Sequence, residues 1–306
     1  MKLDALVAPL RADVVSGAAV IGRAAADVVR RAVLRIGAED TGALRTMLAE
    51  LSIRILEAQP AMAPLVTLTS RVLGSFSPSH SLDEAREKAL AAAETFKKDL
   101  SVSVERVAEH AGAVLHPQDR VLILSSSSTV RRALLLHGGE KALQVVCLEA
   151  RPMGEGKNVA RELARSGIPV TYAVDAAAGT LASECDLILL GADSVGDLGI
   201  VNKIGSLALC CIASRMDIPL HVLVDRTKLL PPGFPQDVQH DRPEEEVWRP
   251  PHGVKVWNRY FESLSPDSVR GLVTEEGVVS PRDLQEMRSR IPVPPELREW
   301  ASARTS

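Results

Sequence analysis

The 306-residue sequence is poor in aromatic residues and has little excess charge of either sign. Aromatic residues make up 3% of the chain, so it offers few of the platforms on which nucleic-acid bases stack. The net charge of −3, from 36 basic and 39 acidic residues, lacks the positive excess typical of nucleic-acid-binding proteins. No apolar run approaches the roughly 20 residues that a membrane-spanning helix requires. We therefore expect no membrane partner and no direct nucleic-acid partner.

Cysteine is scarce as well, and the four cysteines stand at none of the spacings typical of zinc ligands. The seven histidines form no paired spacing with them. We expect neither a metal site nor a disulfide framework. The N-terminal residues carry acids and lack the apolar core of a signal peptide, so a reduced, cytoplasmic setting is the expected one.

Fingerprints of nucleotide cofactors are also missing. The segment 154–157, Gly-Glu-Gly-Lys, resembles the end of a P-loop. That motif requires glycine at position 151 and a hydroxyl residue at 158, where this chain has Arg151 and Asn158. No G-x-G-x-x-G follows the first predicted strand, so we expect no cofactor.

What the sequence does contain is a run of helical patterns up to about residue 115. Leu3, Leu6, Val7 and Leu10 recur at helical spacing, and alanine-rich stretches add high helix propensity. The residues 81–84, Ser-Leu-Asp-Glu, form a capping-box pattern that predicts the start of a helix.

From about residue 119 the pattern changes to short buried strands that alternate with helices. The predicted strands cover 121–124, 144–148, 168–174, 187–190 and 220–224, and the predicted helices cover 129–136, 159–165 and 203–216. Such alternation is typical of a parallel sheet covered on both faces. We predict an α/β fold with a helical domain over 1–116, a second domain over 117–306 and a terminal helix from 281 to about 290.

A proline-rich segment interrupts the second domain. Six prolines lie between residues 231 and 251, together with the acidic run 244–246. This composition predicts a long loop without regular structure. A lid or binding arm and an extended surface crossing are equally compatible with it.

Polar residues follow the first and fourth predicted strands. Ser125, Ser126 and Ser127 lead into a helix whose unpaired N–H groups and positive dipole end favour a phosphate or carboxylate, although a plain N-cap is the alternative. Asp193 lies in a Gly-Ala-Asp turn. Its carboxyl would suit a general acid or base if burial raised its pKa, and a turn-forming role is the alternative.

Further cations and an amide are predicted at the same edge of the sheet. Asn202 and Lys203 are predicted to begin the next helix and to reach a polar ligand, against the alternative of a solvated lysine. Arg151 could clamp a phosphate, or could be an ordinary surface arginine. Lys228 lies four residues beyond the fifth strand. Because parallel strands end at one edge, these side chains together predict a phosphate-sized polar site.

Five segments carry a resemblance to a known superfamily. It unites the alpha, beta and delta regulatory subunits of translation initiation factor 2B with the aldose-ketose isomerases acting on methylthioribose 1-phosphate and ribose 1,5-bisphosphate. The segments are GAAVIGRAAA, EARPMGEGKNVARELARSGIPVTYAVDAAAG, GADSVGDLGIVNKIGSLALCCIASRMDIPLHVL, VDRTKLLP and GLVTEEGVVSP. The match covers essentially the whole chain. It implies a C-terminal Rossmann-like domain, dimers formed through that domain, and a sugar phosphate bound between the two domains.

The resemblance also implies which residues form the site. The superfamily's isomerases carry protons on a cysteine after the first strand and on the aspartate of the Gly-Ala-Asp turn, which correspond here to Ser125 and Asp193. A thiol with a pKa near 8.5 exchanges protons at neutral pH, whereas a hydroxyl needs strong activation. Ser16 replaces an arginine, which should weaken phosphate binding by about 1.5–3 kcal/mol. The implied ligand-binding residues are Gly17, Ala18, Arg23, Ser126, Ser127, Arg151, Asn202, Lys203 and Lys228.

These observations favour a factor 2B-like protein that binds a sugar phosphate or nucleotide phosphate between its domains in a regulatory role. The alternative is an aldose-ketose isomerase of the ribose-1,5-bisphosphate or methylthioribose-1-phosphate type that uses Asp193 with a partner other than cysteine. A third hypothesis is an assembly scaffold with a relic pocket. Expected partners are the phosphorylated ligand and a second copy, in a homodimer or higher homo-oligomer, with other factor 2B-like subunits as an alternative.

Overall fold

A computed structural model describes residues 3–13, 16–35, 37–236, 238 and 241–305. The chain begins with the helices α1 (Leu3–Ala12), α2 (Ala18–Arg35), α3 (Thr41–Ala58), α4 (Pro64–Gly74) and α5 (Leu82–His110). They bury their apolar faces against one another in a common core, as helical periodicity predicts. The predicted capping box at Ser81 is confirmed, since its side chain and that of Glu84 each accept the other residue's backbone N–H.

The second part is built on a seven-stranded sheet. Its strands are β1 (Arg120–Leu124), β2 (Gln144–Leu148), β3 (Val170–Ala173), β4 (Leu187–Gly191), β7 (Leu220–Leu223), β9 (Gly271–Thr274) and β10 (Gly277–Val279). The strands numbered 5, 6 and 8 belong to a second, smaller sheet. The order is β10-β9-β7-β4-β1-β2-β3, and only β10 runs antiparallel to its neighbour. The predicted α/β fold class is confirmed.

Helices follow most of the parallel strands. They are α6 (Ser128–His137), α7 (Gly156–Arg165), α8 (Ala178–Ala182) and α9 (Ser206–Met216). The chain runs outward from β1 through β2 to β3 and then returns to β4 on the other side of β1. This reversal creates a crevice at the carboxyl ends of β1 and β4, the position at which open α/β sheets bind ligands.

A second, antiparallel sheet of β5 (Ser194–Gly196), β6 (Gly199–Lys203) and β8 (Phe261–Leu264) corrects one prediction. Asn202 and Lys203 do not begin a helix; they end β6, which pairs with β5 on one side and β8 on the other. Gly205, with a φ of 102°, turns the chain away from the strand, so that α9 begins at Ser206. The prediction that Lys203 lies at the positive end of a helix dipole is therefore wrong.

The C-terminal segment joins the two parts of the molecule. The predicted terminal helix is confirmed as α10 (Pro281–Ser289), but it is followed by α11 (Pro295–Thr305), which the sequence analysis missed. Leu297 and Ala301 of α11 are buried in the core of the N-terminal helices. The division at residue 116 remains a prediction.

The proline-rich segment has little regular structure, as predicted. Its described residues between Pro231 and Pro251 contain one short 3₁₀ turn, Glu244–Glu246. Among the described residues we also find no helix whose length and hydropathy would suit a membrane span.

Candidate functional site

A cavity of about 160 Å³ lies at the crevice formed by β1 and β4. The lining residues that were predicted from the sequence come from five separate parts of the chain. Those predicted from the sequence are Gly17 and Ala18 at the start of α2, Ser125 to Ser127 after β1, Asp193 after β4, Asn202 and Lys203 on β6, and Lys228 after β7. Their assignment to ligand binding remains a prediction, but the structure brings these nine residues together.

Two helices begin at the cavity wall. Ser127 caps α6 by accepting a hydrogen bond from the N–H of Val130, and the start of α2 lies against the same loop. A Cβ added at Gly17 would stand 3.4 Å from the carbonyl oxygen of Ser126. The first N–H groups of a helix lack intrahelical partners, and the dipole makes that end positive. The two helix starts therefore favour an anion in the cavity.

Close packing fixes the loop after β1 against β4. A Cβ at Gly191 would lie 2.5 Å from the Oγ of Ser127 and 2.7 Å from its Cβ, so glycine is needed for this approach. Ser125 adopts a φ of 67°, in the left-handed region that residues other than glycine rarely occupy. The serine loop is thus held in one specific conformation.

Asp193 lies between β4 and β5, and its backbone is held on both sides. Its N–H donates to the carbonyl of Val201 (2.9 Å), and its own carbonyl accepts from the N–H of Ala63 (3.4 Å). Burial raises the pKa of the carboxyl, Lys228 and Lys203 lower it, and Glu155 raises it further; the result is a pKa of about 6. The group therefore changes protonation close to neutral pH, although part of its surface faces the cavity.

Lys203 is a buried lysine with two partners. Its Nζ donates to Oε1 of Glu155 (2.9 Å) and stands 4.9 Å from the centre of the Tyr260 ring. The adjacent Asn202 donates from Nδ2 to Oγ of Ser206 (2.9 Å). Pairing and the aromatic face compensate the desolvation of the ammonium group.

Lys228 is also buried, and a short turn holds it. Its Nζ lies 3.7 Å from Oδ2 of Asp225. The other carboxylate oxygen of Asp225 accepts hydrogen bonds from the N–H (3.0 Å) and hydroxyl of Thr227. Thr67 of α4 donates to the carbonyl of Thr227 (3.1 Å). The helical part of the chain therefore helps to position this lysine.

Glu155, Arg242 and Tyr260 are among the lining residues that were not predicted from the sequence. Tyr260 donates to Oε2 of Glu246 (2.6 Å), and the guanidinium carbon of Arg242 lies 4.7 Å from the ring centre. Burial raises the pKa of the Tyr260 hydroxyl, and Glu246 raises it further. Arg242 and Glu246 come from the proline-rich segment, so the described part of that segment reaches the cavity.

The glycine that follows Glu155 is a local indication in the sequence that the chain passes close to another backbone segment there. A Cβ at Gly156 would stand 2.1 Å from the carbonyl oxygen of Leu148, so only glycine lets the chain pass this close to the end of β2. The prediction for this segment concerned only a P-loop and did not include its carboxylate.

Two predicted ligand-binding residues do not line the cavity. Arg23 lies five residues after Ala18, which places it about 7.5 Å along α2 and about 140° round its axis. It donates instead to Oγ of Ser101 (3.1 Å). Arg151 is exposed; its N–H donates to Asp175 (2.7 Å) and its Nη2 to the carbonyl of Val247 (3.3 Å). Contact of either arginine with a ligand in this cavity would require a rearrangement.

No cysteine is present among the described residues that line the cavity. Cys147, on the neighbouring strand β2, is fully buried, and its Sγ lies 3.4 Å from the carbonyl oxygen of Gly156. Burial raises the pKa of this thiol to about 12. The described residues also hold no cluster of histidine, cysteine and carboxylate side chains suited to a metal ion.

Relatives with known names include sugar-phosphate isomerases. The methylthioribose-1-phosphate isomerase of Gemmatimonas aurantiaca is 28% identical over 298 residues, covering 92% of this chain and 86% of that protein. The ribose 1,5-bisphosphate isomerase of Haloterrigena turkmenica is 29% identical over 286 residues, covering 87% of this chain and 86% of that protein.

Solved structures show the same fold. The translation initiation factor eIF-2B of Pyrococcus horikoshii matches with a TM-score of 0.81 at 24% identity, covering 92% of this chain and 98% of that one. The 5-methylthioribose 1-phosphate isomerase of the same organism matches with a TM-score of 0.70 at 22% identity, covering 94% and 87%. The sequence model of the initiation factor 2 subunit family matches residues 14–281. The chain therefore belongs to the initiation factor 2 subunit family.

Proposed function

We propose that the cavity binds a phosphorylated sugar. The observation that supports this most directly is the convergence of two helix starts with the buried ammonium groups of Lys203 and Lys228. Helix starts and lysines are the groups with which proteins hold phosphate. Asp193 and Asn202 add the acceptors and donors that sugar hydroxyls need. The names of the related isomerases agree with a ligand of this class.

We further propose that binding itself, without turnover, is the function, and that the protein is regulatory. Ser125 occupies the position where the resemblance places a cysteine, and its hydroxyl donates weakly to Glu155 at 3.3 Å. A hydroxyl exchanges protons poorly at neutral pH. A site that has two buried lysines beside two helix starts but lacks a thiol is better suited to sensing a ligand than to converting it.

Calorimetry with ribose 5-phosphate, ribose 1-phosphate and adenosine monophosphate tests this proposal. Loss of a charged partner in Lys228→Met should weaken binding by about tenfold or more, the equivalent of one charge-assisted hydrogen bond. Lys88→Met, which removes an exposed lysine of α5, is the matched control and should leave binding unchanged. The absence of binding heat with every compound would refute the proposal.

The second candidate function is aldose-ketose isomerisation, and the pKa of Asp193 favours it. A carboxyl with a pKa of about 6 can accept and return a proton near neutral pH. The reaction breaks the bond between C1 and the ring oxygen, moves a hydrogen from C2 to C1, and transfers the proton of the C2 hydroxyl to the ring oxygen. We propose Asp193 as a carrier of one of these protons.

Incubation with methylthioribose 1-phosphate and with ribose 1,5-bisphosphate separates the two candidates. Formation of a ketose, followed by carbon NMR, would establish turnover. Asp193→Asn should then abolish it, and turnover that survives this substitution would exclude the mechanism. Failure to form ketose from a compound that binds would leave the regulatory proposal standing.

We also propose that the chain forms a homodimer, with other subunits of the family as alternative partners. A tetrameric eIF2B-beta2-delta2 complex from Chaetomium thermophilum contains a chain of this fold, with a TM-score of 0.74 at 20% identity. Light scattering at micromolar concentration provides the test. A monomer under those conditions would contradict the homodimer.

A further inference from the structure

Glu155 places a buried carboxylate in the cavity wall, which also contains the carboxyl groups of Asp13 and Asp193. Its side chain is 11% exposed, and Oε1 accepts hydrogen bonds from Nζ of Lys203 (2.9 Å) and Oγ of Ser125 (3.3 Å). Its other oxygen, Oε2, is buried and has no hydrogen-bond partner among the described residues. A buried acceptor without a partner is costly, so this oxygen has a capacity for a further donor.

The cations of the cavity wall are already compensated by protein groups. Three of them face carboxylates, in the pairs Lys203–Glu155, Lys228–Asp225 and Arg131–Glu162. Arg242, the remaining described basic residue of the wall, stacks on Tyr260. One phosphate can use the N–H groups at the helix starts without drawing a cation away from its carboxylate partner. A second phosphate would have to draw a lysine or Arg131 away from its carboxylate, or Arg242 away from the face of Tyr260, and it would lie near the charge of Glu155.

We propose that Glu155 determines which phosphorylated sugar the site accepts. When its carboxylate turns Oε2 toward the cavity, that oxygen accepts a hydrogen bond from a sugar hydroxyl, and through its charge Glu155 repels a second phosphate. The site consequently takes sugar monophosphates in preference to sugar bisphosphates. This inference rests on the proposed binding of a phosphorylated sugar.

The charge and the length of the side chain have separable effects. Glu155→Gln keeps the size of the side chain, removes its charge, and releases Lys203 from its carboxylate partner. The released ammonium group is then available to a second phosphate, while the bond from the sugar hydroxyl loses its charge assistance. Glu155→Asp keeps the charge but shortens the reach, so it should lose the hydroxyl contact and still reject the bisphosphate.

Calorimetry with ribose 5-phosphate and ribose 1,5-bisphosphate at about pH 8 measures the preference. The unmodified protein should bind the monophosphate at least about tenfold more tightly, the equivalent of one charge-assisted hydrogen bond. In Glu155→Gln the ratio of the two affinities should fall by about tenfold or more, with weaker binding of the monophosphate and tighter binding of the bisphosphate. Glu155→Asp should weaken both ligands and keep the preference for the monophosphate.

Glu184→Gln is the matched control, because it makes the same change in net charge at an exposed carboxylate that pairs with Arg120, outside the cavity wall. It should leave both affinities unchanged. If the unmodified protein prefers the bisphosphate, or if the affinity ratio is the same in Glu155→Gln, the inference is overturned and the proposed function stands. If the unmodified protein binds neither compound, the proposed function fails first. Glu155→Asp retains the ion pair and supplies the test should Glu155→Gln fail to fold.

Discussion

Replacement of Asp193 by asparagine should stabilise the ligand-free protein, and more so as the pH rises. Folding raises the pKa of this carboxyl from 3.8 to about 6, so the native protein binds the proton more tightly than the unfolded chain does. The stability contributed by that proton is complete below pH 3.8 and is lost as the pH rises through about 6. A difference of about 2 pKa units corresponds to about 3 kcal/mol. Asparagine resembles the protonated carboxyl at every pH and avoids this loss.

The gain should therefore be about 3 kcal/mol at pH 8 and about half of that at pH 5. Urea denaturation of both proteins at constant ionic strength, in buffers free of phosphate, measures it. Phosphate must be absent because a ligand of the native state would add its own stabilisation. An Asp193→Asn variant that is less stable than the unmodified protein at pH 8, or a difference independent of pH, would refute the reasoning.

Replacement of Asp197 provides a control on the same segment, because its expected effect on the unfolding free energy has the opposite sign. Burial raises the pKa of its carboxyl, but hydrogen bonds from Arg288 and from the N–H of Gly233 outweigh burial, and the pKa is lowered. Its stability contribution is present above the ordinary pKa of aspartate and is lost as the pH falls. Asp197→Asn should therefore destabilise the protein at neutral pH, with an effect that fades in acid.

Three further substitutions test a helix cap away from the site, and a close contact and a hydrogen bond at the site. Ser81→Ala removes the capping box of α5 and should lower the unfolding free energy by about 1 kcal/mol in urea denaturation. Gly191→Ala creates a clash with Ser127 and should cost about 1–3 kcal/mol, most of which Ser127→Gly should restore in the double variant; additive losses would contradict the predicted clash. Tyr260→Phe removes the bond to Glu246 and should cost about 1.5–3 kcal/mol, and an unchanged thermal midpoint would speak against that bond.

The sheet was predictable because its information is local. Strands buried on both faces give continuous apolar runs, and Val121 to Leu124 is such a run between polar ends. The position of the site followed from one further rule, that parallel strands end at a common edge. Ser125 and Asp193 could therefore be placed together without knowledge of the strand order, which fixes them at the switch point between β1 and β4.

Features that tertiary contacts decide could not be predicted from the sequence. Strand β6 ends in a buried asparagine and lysine, and no local pattern shows that β5 and β8 will pair with it. Tyr260 and Arg242 reach the cavity from a segment whose composition predicts only a loop. Arg23 was included through the resemblance, although five residues of helix turn it away from Ala18.

The pairing of the cavity lysines with carboxylates also affects the proposed regulatory role. Lys203 and Lys228 are each paired with a carboxylate without a ligand, so a phosphate that enters must compete with Glu155 and Asp225 for them. Part of the Coulombic attraction between the phosphate and the lysines is therefore cancelled. The phosphate binds more weakly than it would to a site with unpaired cations. A regulatory protein responds best when its dissociation constant lies near the prevailing concentration of its ligand, since occupancy then changes most with concentration. Paired lysines beside two helix starts provide a means of setting such an intermediate affinity.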